Sequence, residues 1–123
     1  MSTFYEAMGG EPFFTKLVAG FYNQVKESPI LSPMYPPEEF DEAERRLRMF
    51  LEQYWGGPKT YGEERGHPRL RMRHAKFHIN PAARDEWLRC MENSLNQLDI
   101  EPSMREELWG YLTSAADAMV NQL

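Results

Sequence analysis

Only one cysteine, Cys90, occurs in the 123 residues. A disulfide within the chain, a four-cysteine zinc site and Cys-x-x-Cys redox chemistry are therefore excluded. Long apolar runs are also missing. No stretch approaches the roughly 20 residues that a membrane span needs, and the N-terminus lacks the basic-then-apolar order of a secretory signal. These absences predict a cytoplasmic protein without a membrane span. Positive charge is in deficit, with a formal net charge of −5. Such a chain lacks the electrostatic footprint of a nucleic-acid binder. There is no glycine-rich loop to cradle a phosphate. No strand-like alternation, internal repeat or low-complexity tract appears. The length suits a single domain over residues 1–123.

What the chain does hold is a bulky, soft interior supply: eight Met, seven Phe, six Tyr and three Trp. Such side chains fill irregular cores, and they also line pockets for flat apolar ligands. Their spacing is helical throughout. Thr3 and Glu6 have capping-box spacing ahead of a very short helix, which Gly9-Gly10 ends. Pro12 suits a first helical turn. From there Phe13, Leu17, Phe21 and Val25 recur at i+4, with Phe14, Val18 and Tyr22 beside them, and Ser28-Pro29 stops the run. Pro29, Pro33, Pro36 and Pro37 make residues 29–37 a kinked connector, which carries Tyr35.

A third helix is predicted over 38–55, its inner face reading Phe40, Ala43, Leu47, Phe50, Leu51 and Tyr54. Gly56-Gly57-Pro58 ends it. Residues 58–67 read as a loop long enough to suggest a role. Pro68 starts a short helix through His74. Asn80-Pro81 is a strong N-terminal signal for the next long helix, with Trp87, Leu88, Met91, Leu95 and Leu98 inward. The last helix follows Pro102-Ser103 and carries Leu108, Tyr111, Leu112, Ala115, Met119 and Val120. The fold class is all-α, with about four main helices and short satellites.

The candidate chemistry is sparse. His67 precedes a proline and is biased to an extended backbone, which fits a loop-fixing residue. His74 and His78 have i, i+4 spacing, but no third zinc ligand is evident and Asn80-Pro81 cuts the segment short. His74 closes a run of cations, within a basic cluster from Lys59 to Lys76. One imidazole is the simplest axial ligand for haem iron, and nearby guanidinium groups suit carboxylates such as haem propionates. A solvated basic turn beside a partly exposed histidine fits the same residues. Tyr22, Tyr35 and Trp87 fall on three elements at inward or connector positions. Facing one cavity they would cap it with donors, and as separate core aromatics they would only pack. Cys90 reads as a small packing residue. The pairs Glu38-Glu39 and Glu63-Glu64 suit helix starts or loops. No nucleophilic constellation emerges.

Three stretches carry a resemblance. They are Phe4-Tyr5-Glu6-Ala7 with Gly9-Gly10; Arg45-Arg46-Leu47-Arg48-Met49-Phe50-Leu51-Glu52-Gln53-Tyr54-Trp55-Gly56-Gly57-Pro58; and Gly66 to His74, followed by Trp87-Leu88-Arg89-Cys90-Met91. In these the chain resembles the truncated haemoglobins, specifically their bacterial group II branch, over nearly its whole length. The resemblance implies a two-over-two helical sandwich around non-covalently held haem b. It implies that His74 is the proximal iron ligand and that Tyr22, Tyr35 and Trp87 are the distal polar residues. Ala43 matches the position where many globins carry a distal His or Gln, and Leu47 lies one turn on. Arg46 and Arg73 are the expected propionate partners, with Phe50, Met72 and Phe77 at the haem edge. The implied function is reversible binding of dioxygen or another diatomic ligand, for transport or storage. A peroxidase-like or nitric oxide dioxygenase-like activity on the same haem is the alternative. A reductase and a second copy of the chain are the protein partners to be considered.

Overall fold

The computed structural model describes residues 3–74 and 77–122, without the side chains of Leu70 and Arg71. Lys76, the end of the basic cluster, lies outside the described residues. Seven α-helices and two 3-10 turns make up this part, and none of it is strand.

Helix α1 (Phe4–Met8) begins where the Thr3 hydroxyl accepts the Glu6 N–H at 3.1 Å. It ends on Gly9 at φ 119°. Gly10 also has positive φ, so α2 (Gly10–Glu27) starts at once, two residues ahead of the expected Pro12. A β-carbon on Gly9 would meet the Phe13 β-carbon at 3.2 Å, so glycine serves here for both conformation and space. All seven residues of the apolar stripe, Phe13 to Val25, are buried.

The proline-rich connector forms 3-10 turns at Ser32–Met34 and Pro37–Glu39 and leads into α3 (Phe40–Tyr54). The expected loop over 58–67 instead contains a helix, α4 (Thr60–Arg65). Its anchors come from α3: Gln53 Oε1 accepts the Gly62 N–H at 2.8 Å, and Arg45 pairs with Glu64 at 2.7 Å. Helix α5 (Leu70–Arg73) is one turn long. Asn80 caps α6 (Pro81–Leu95) by accepting the Ala83 N–H at 2.9 Å. Helix α7 spans Pro102–Met119.

Helix α2 packs against both α3 and α6, and α6 packs against α7. The four long helices therefore form two pairs laid one over the other. The α2–α6 crossing is close because Gly20 faces Ser94, whose hydroxyl donates to the Leu17 carbonyl at 2.6 Å. Phe14, Leu17, Phe21, Met91, Leu95, Leu108 and Leu112 form the fully buried centre. Cys90 is buried among them, as a packing residue. Leu88 is only half-buried, while Ala83 and Ser94 join the buried face of α6. Tyr54, expected inward, is 52% exposed, with one face of its ring stacked on Tyr111 of α7.

Candidate functional site: a haem cavity

A cavity of about 670 Å³ opens between the two helix pairs. Its size suits a small organic cofactor. Tyr22 enters from α2, Tyr35 from the connector, Ala43, Arg46, Leu47 and Phe50 from α3, and Trp87 from α6. His74 and Phe77 line it after α5, with Arg73 beside them. The cavity thus brings together ten of the eleven residues singled out from sequence. The exception is Met72, expected at the haem edge. It is 63% exposed and does not line the cavity, because a one-turn helix that turns Arg73 inward turns its neighbour out.

The connector is pinned where it must place Tyr35. Ser28 is buried at the end of α2, and its hydroxyl accepts the Leu31 N–H at 3.1 Å. The same hydroxyl donates to Glu86 Oε2 at 2.5 Å, one residue before Trp87. Arg89 donates to both Glu86 oxygens, at 2.6 and 3.0 Å. These bonds, Arg89 first and Ser28 second, hold the Glu86 carboxyl at about 2, against an ordinary 4.5. Because the folded value is depressed, this stabilisation is complete above pH 4.5 and drains away as pH falls toward 2. The thermal midpoint is expected to fall across that window. Glu86→Gln should flatten part of the fall, and an unchanged profile would refute the linkage.

Tyr22 and Tyr35 meet edge to face at 5.6 Å, and Tyr35 stacks on Phe40 at 5.4 Å. Burial, then the neighbouring Tyr35 phenol, pushes Tyr22 well above the ordinary phenol range, and burial raises Tyr35 as well. Both hydroxyls therefore remain protonated donors at physiological pH. The Trp87 ring meets Phe21 edge-on at 5.1 Å.

On the opposite side, the chain beyond α7 holds the segment after His74. Asn121 Nδ2 donates to the Phe77 carbonyl at 2.9 Å and to the His74 carbonyl at 3.4 Å. Asn121 Oδ1 accepts the Ile79 N–H at 2.9 Å. Asn121 carried no signal in the sequence, since its role depends on contacts more than 40 residues away. Tyr61, Ile79 and Met119 also line the cavity without having been singled out.

The other histidines stay outside. His67 is exposed, and its Nδ1 accepts the Arg69 N–H at 3.2 Å, the loop-fixing role expected of it. His78 is exposed and bonds to Gln122. Among the described residues no group of three or more His, Cys, Asp or Glu could hold a bare metal ion.

Do these residues fit a haem? A porphyrin needs an apolar slot, an axial donor and cations for its carboxylates. The lining is mostly apolar, and it contains one imidazole among the described residues. Arg73 spends one terminal nitrogen on the Arg65 carbonyl at 3.0 Å, while its buried Nε has no partner. A buried guanidinium N–H without an acceptor is costly, and a propionate would satisfy it. The residues fit.

Comparison with known proteins agrees. The bacterial-like globin family matches residues 3–121. The chain is 43% identical to the group 2 truncated hemoglobin YjbI of Bacillus subtilis, over 96% of this chain and 88% of that one. The structure superposes on a thermostable hemoglobin from the actinobacterium Thermobifida fusca with a TM-score of 0.95 and 53% identity, covering 98% of each chain. It also superposes on a truncated oxygen-avid haemoglobin from Bacillus subtilis with a TM-score of 0.89 and 42% identity, over 98% of this chain and 100% of that one. With its two-over-two helices closed around a haem-sized cavity, this chain belongs to the bacterial-like globins, in their group II truncated branch, and is a haem-binding protein.

Proposed function

We propose that this globin binds dioxygen reversibly and serves as a cytoplasmic carrier or store, in which His74 would hold the iron of its haem b. When bound, the haem supplies a ferrous iron that takes a diatomic ligand. Everything else is the work of the chain. His74 offers an imidazole nitrogen from the cavity wall, and Asn121 fixes the backbone that carries it. Arg73, with Arg46 at the same cavity, holds the propionates. Phe50, Phe77, Ala43 and Leu47 exclude water, and Ala43 leaves room where a larger side chain would crowd the ligand. Tyr22, Tyr35 and Trp87 supply donors for a ligand that gathers negative charge, in surroundings where such bonds count for more than in water.

The observation that carries this reading is the cavity lining. One imidazole, three aromatic donors and a buried, unpaired arginine nitrogen share one space. The Bacillus subtilis relative is described as oxygen-avid, which supports it further. A reductase that keeps the iron ferrous is the protein partner this function requires. The test is spectroscopic: protein loaded with haem and reduced should show a Soret band that shifts with oxygen and returns when oxygen is removed. Failure to return would sink reversible binding.

A smaller effect concerns Asn121. Outer-shell groups around a metal ligand typically change metal affinity by about 10–100-fold. Asn121→Ala is expected to speed haem loss by about tenfold, read as transfer to an excess of a haem-free acceptor globin. An unaltered rate would remove Asn121 from the proximal architecture.

A further inference from the structure

Positive charge is unevenly spread along this acidic chain. Residues 59–76 hold six of its 14 Lys and Arg but only two of its 19 Asp and Glu. The stretch runs along the cavity, since Tyr61, Arg65, Arg73 and His74 all line it. Other arginines spend their charge on carboxylates: Arg48 on Glu52, Arg84 on Asp85 and Asp117, Arg89 on Glu86. Within the stretch, Glu64 is already paired with Arg45. No ion pair among the described residues involves Lys59, Arg65 or Arg69. All three are exposed, and Arg65 is also part of the cavity wall.

Two further features mark the same stretch. Met72, at 63%, is the most exposed large apolar side chain among the described residues. Arg69, at φ 46°, is the one non-glycine residue among them with a left-handed backbone. Glycine would adopt that backbone at lower cost, so folding does not account for an arginine there. An exposed methionine amid unpaired arginines has the composition of a protein interface, where both residue types are enriched.

We propose that Lys59, Arg65, Arg69 and Met72 form a docking face for a small acidic single-electron carrier protein, which reduces the iron from the rim of the cavity. The proposal rests on the reading of the cavity as a haem site, and it gives the reductase partner a place. One electron leaves the reduced carrier and enters ferric iron. The products are oxidised carrier and ferrous iron, and no bond of the chain forms or breaks. Unpaired cations speed the encounter with an acidic surface. Met72 supplies an apolar point at which the contact can exclude water. A carrier seated over Arg65 reaches the cavity rim without entering the cavity. Nucleic acid fits this face less well. An extended polyanion would run off it onto a surface that carries nearly all of the acidic residues.

The test uses haem-loaded ferric protein under carbon monoxide, which traps the ferrous form, with reduced flavodoxin as the acidic carrier. Stopped-flow absorbance gives the second-order rate. The double reversal Lys59→Glu/Arg69→Glu should lower that rate by about tenfold or more at low salt, and the gap should close as salt is raised. Neither residue lines the cavity. Oxygen spectra should therefore be unchanged, as should reduction by lumiflavin semiquinone, which is small and uncharged. Lys16→Glu, an exposed reversal on α2, should leave the flavodoxin rate close to wild type. Arg69→Gly should slow reduction without lowering the thermal midpoint. Equal flavodoxin rates in wild type and the double reversal, or equal slowing with lumiflavin, would overturn the docking face. So would salt-sensitive dimerisation of wild type that the reversal abolishes, since it would assign the face to a second copy of the chain. Amide shifts induced by oxidised flavodoxin read the contact without electron transfer. A wild type that took up no haem yet showed those shifts within 59–73 would overturn the haem reading and leave the docking face standing.

Discussion

His74→Ala is expected to abolish stable haem binding. Of the three histidines, His67 and His78 are exposed and bonded elsewhere, and only His74 lines the cavity. No other described residue of the lining offers an imidazole to take over. Changes in the outer shell alone cost about 10–100-fold in metal affinity, so loss of the ligand itself should cost more. The measurement is the haem-to-protein ratio after gel filtration, together with the Soret maximum. His74→Gly separates the bond from the fold, because free imidazole can enter the space left by the side chain. Imidazole should restore the Soret band to His74→Gly while leaving wild type unchanged. Far-ultraviolet circular dichroism should stay helical in both variants, since the fully buried centre draws on α2, α3, α6 and α7 rather than on α5. Full pigment content in His74→Ala would refute the axial role.

Haem binding should also be felt as stability. A ligand that binds only the folded state adds about 4 kcal/mol when present at 1,000 times its dissociation constant. With haem present, the thermal midpoint of His74→Ala should therefore fall below that of wild type, while without haem the two should be nearly equal.

The long helices were legible because their signals are local. The apolar stripe of α2 repeats every four residues, and Asn80-Pro81 caps and opens α6 with two adjacent side chains. Helix α4 was not legible. It has six residues, glycine inside it and glycine at its end, and its anchors Gln53 and Arg45 belong to another helix. The same distinction governs the site. Tyr22 and Trp87 could be read as inward from their own helices, but their meeting with Tyr35 depends on the Ser28–Glu86 bond across 58 residues. Met72 lies outside the cavity lining, and its direction could not be read because a single helical turn has too little periodicity to say which way a side chain faces. Asn121 was missed for the opposite reason: it acts entirely through the backbone of a distant segment. Resemblance to a family supplied the shared cavity that periodicity lacked.

Trp87→Phe and Tyr35→Phe should each speed release of oxygen, and together they should do so by more than either alone. Both side chains line the cavity, and phenylalanine keeps the ring while removing the donor. A hydrogen bond to a ligand bearing partial charge is worth about 1–2 kcal/mol in such a setting, which corresponds to roughly 5–30-fold in rate. Burial keeps the Tyr35 hydroxyl protonated, so its contribution should not vary between pH 6 and about pH 9. The two donors come from different elements, the connector and α6, but both elements meet at the Ser28–Glu86 bond. A double-mutant cycle decides how far they act together. If each donor bonds the ligand separately, the logarithms of the rate changes add. If Tyr35 serves mainly to orient the distal space for Trp87, the double variant should release oxygen no faster than Trp87→Phe alone. Stopped-flow displacement of oxygen by carbon monoxide gives the rates directly. Wild-type release in Trp87→Phe would remove the indole from the account. Wild-type release in both single variants and the double would leave the distal aromatics as packing, and the cavity would then hold oxygen without help from their hydroxyl and indole groups.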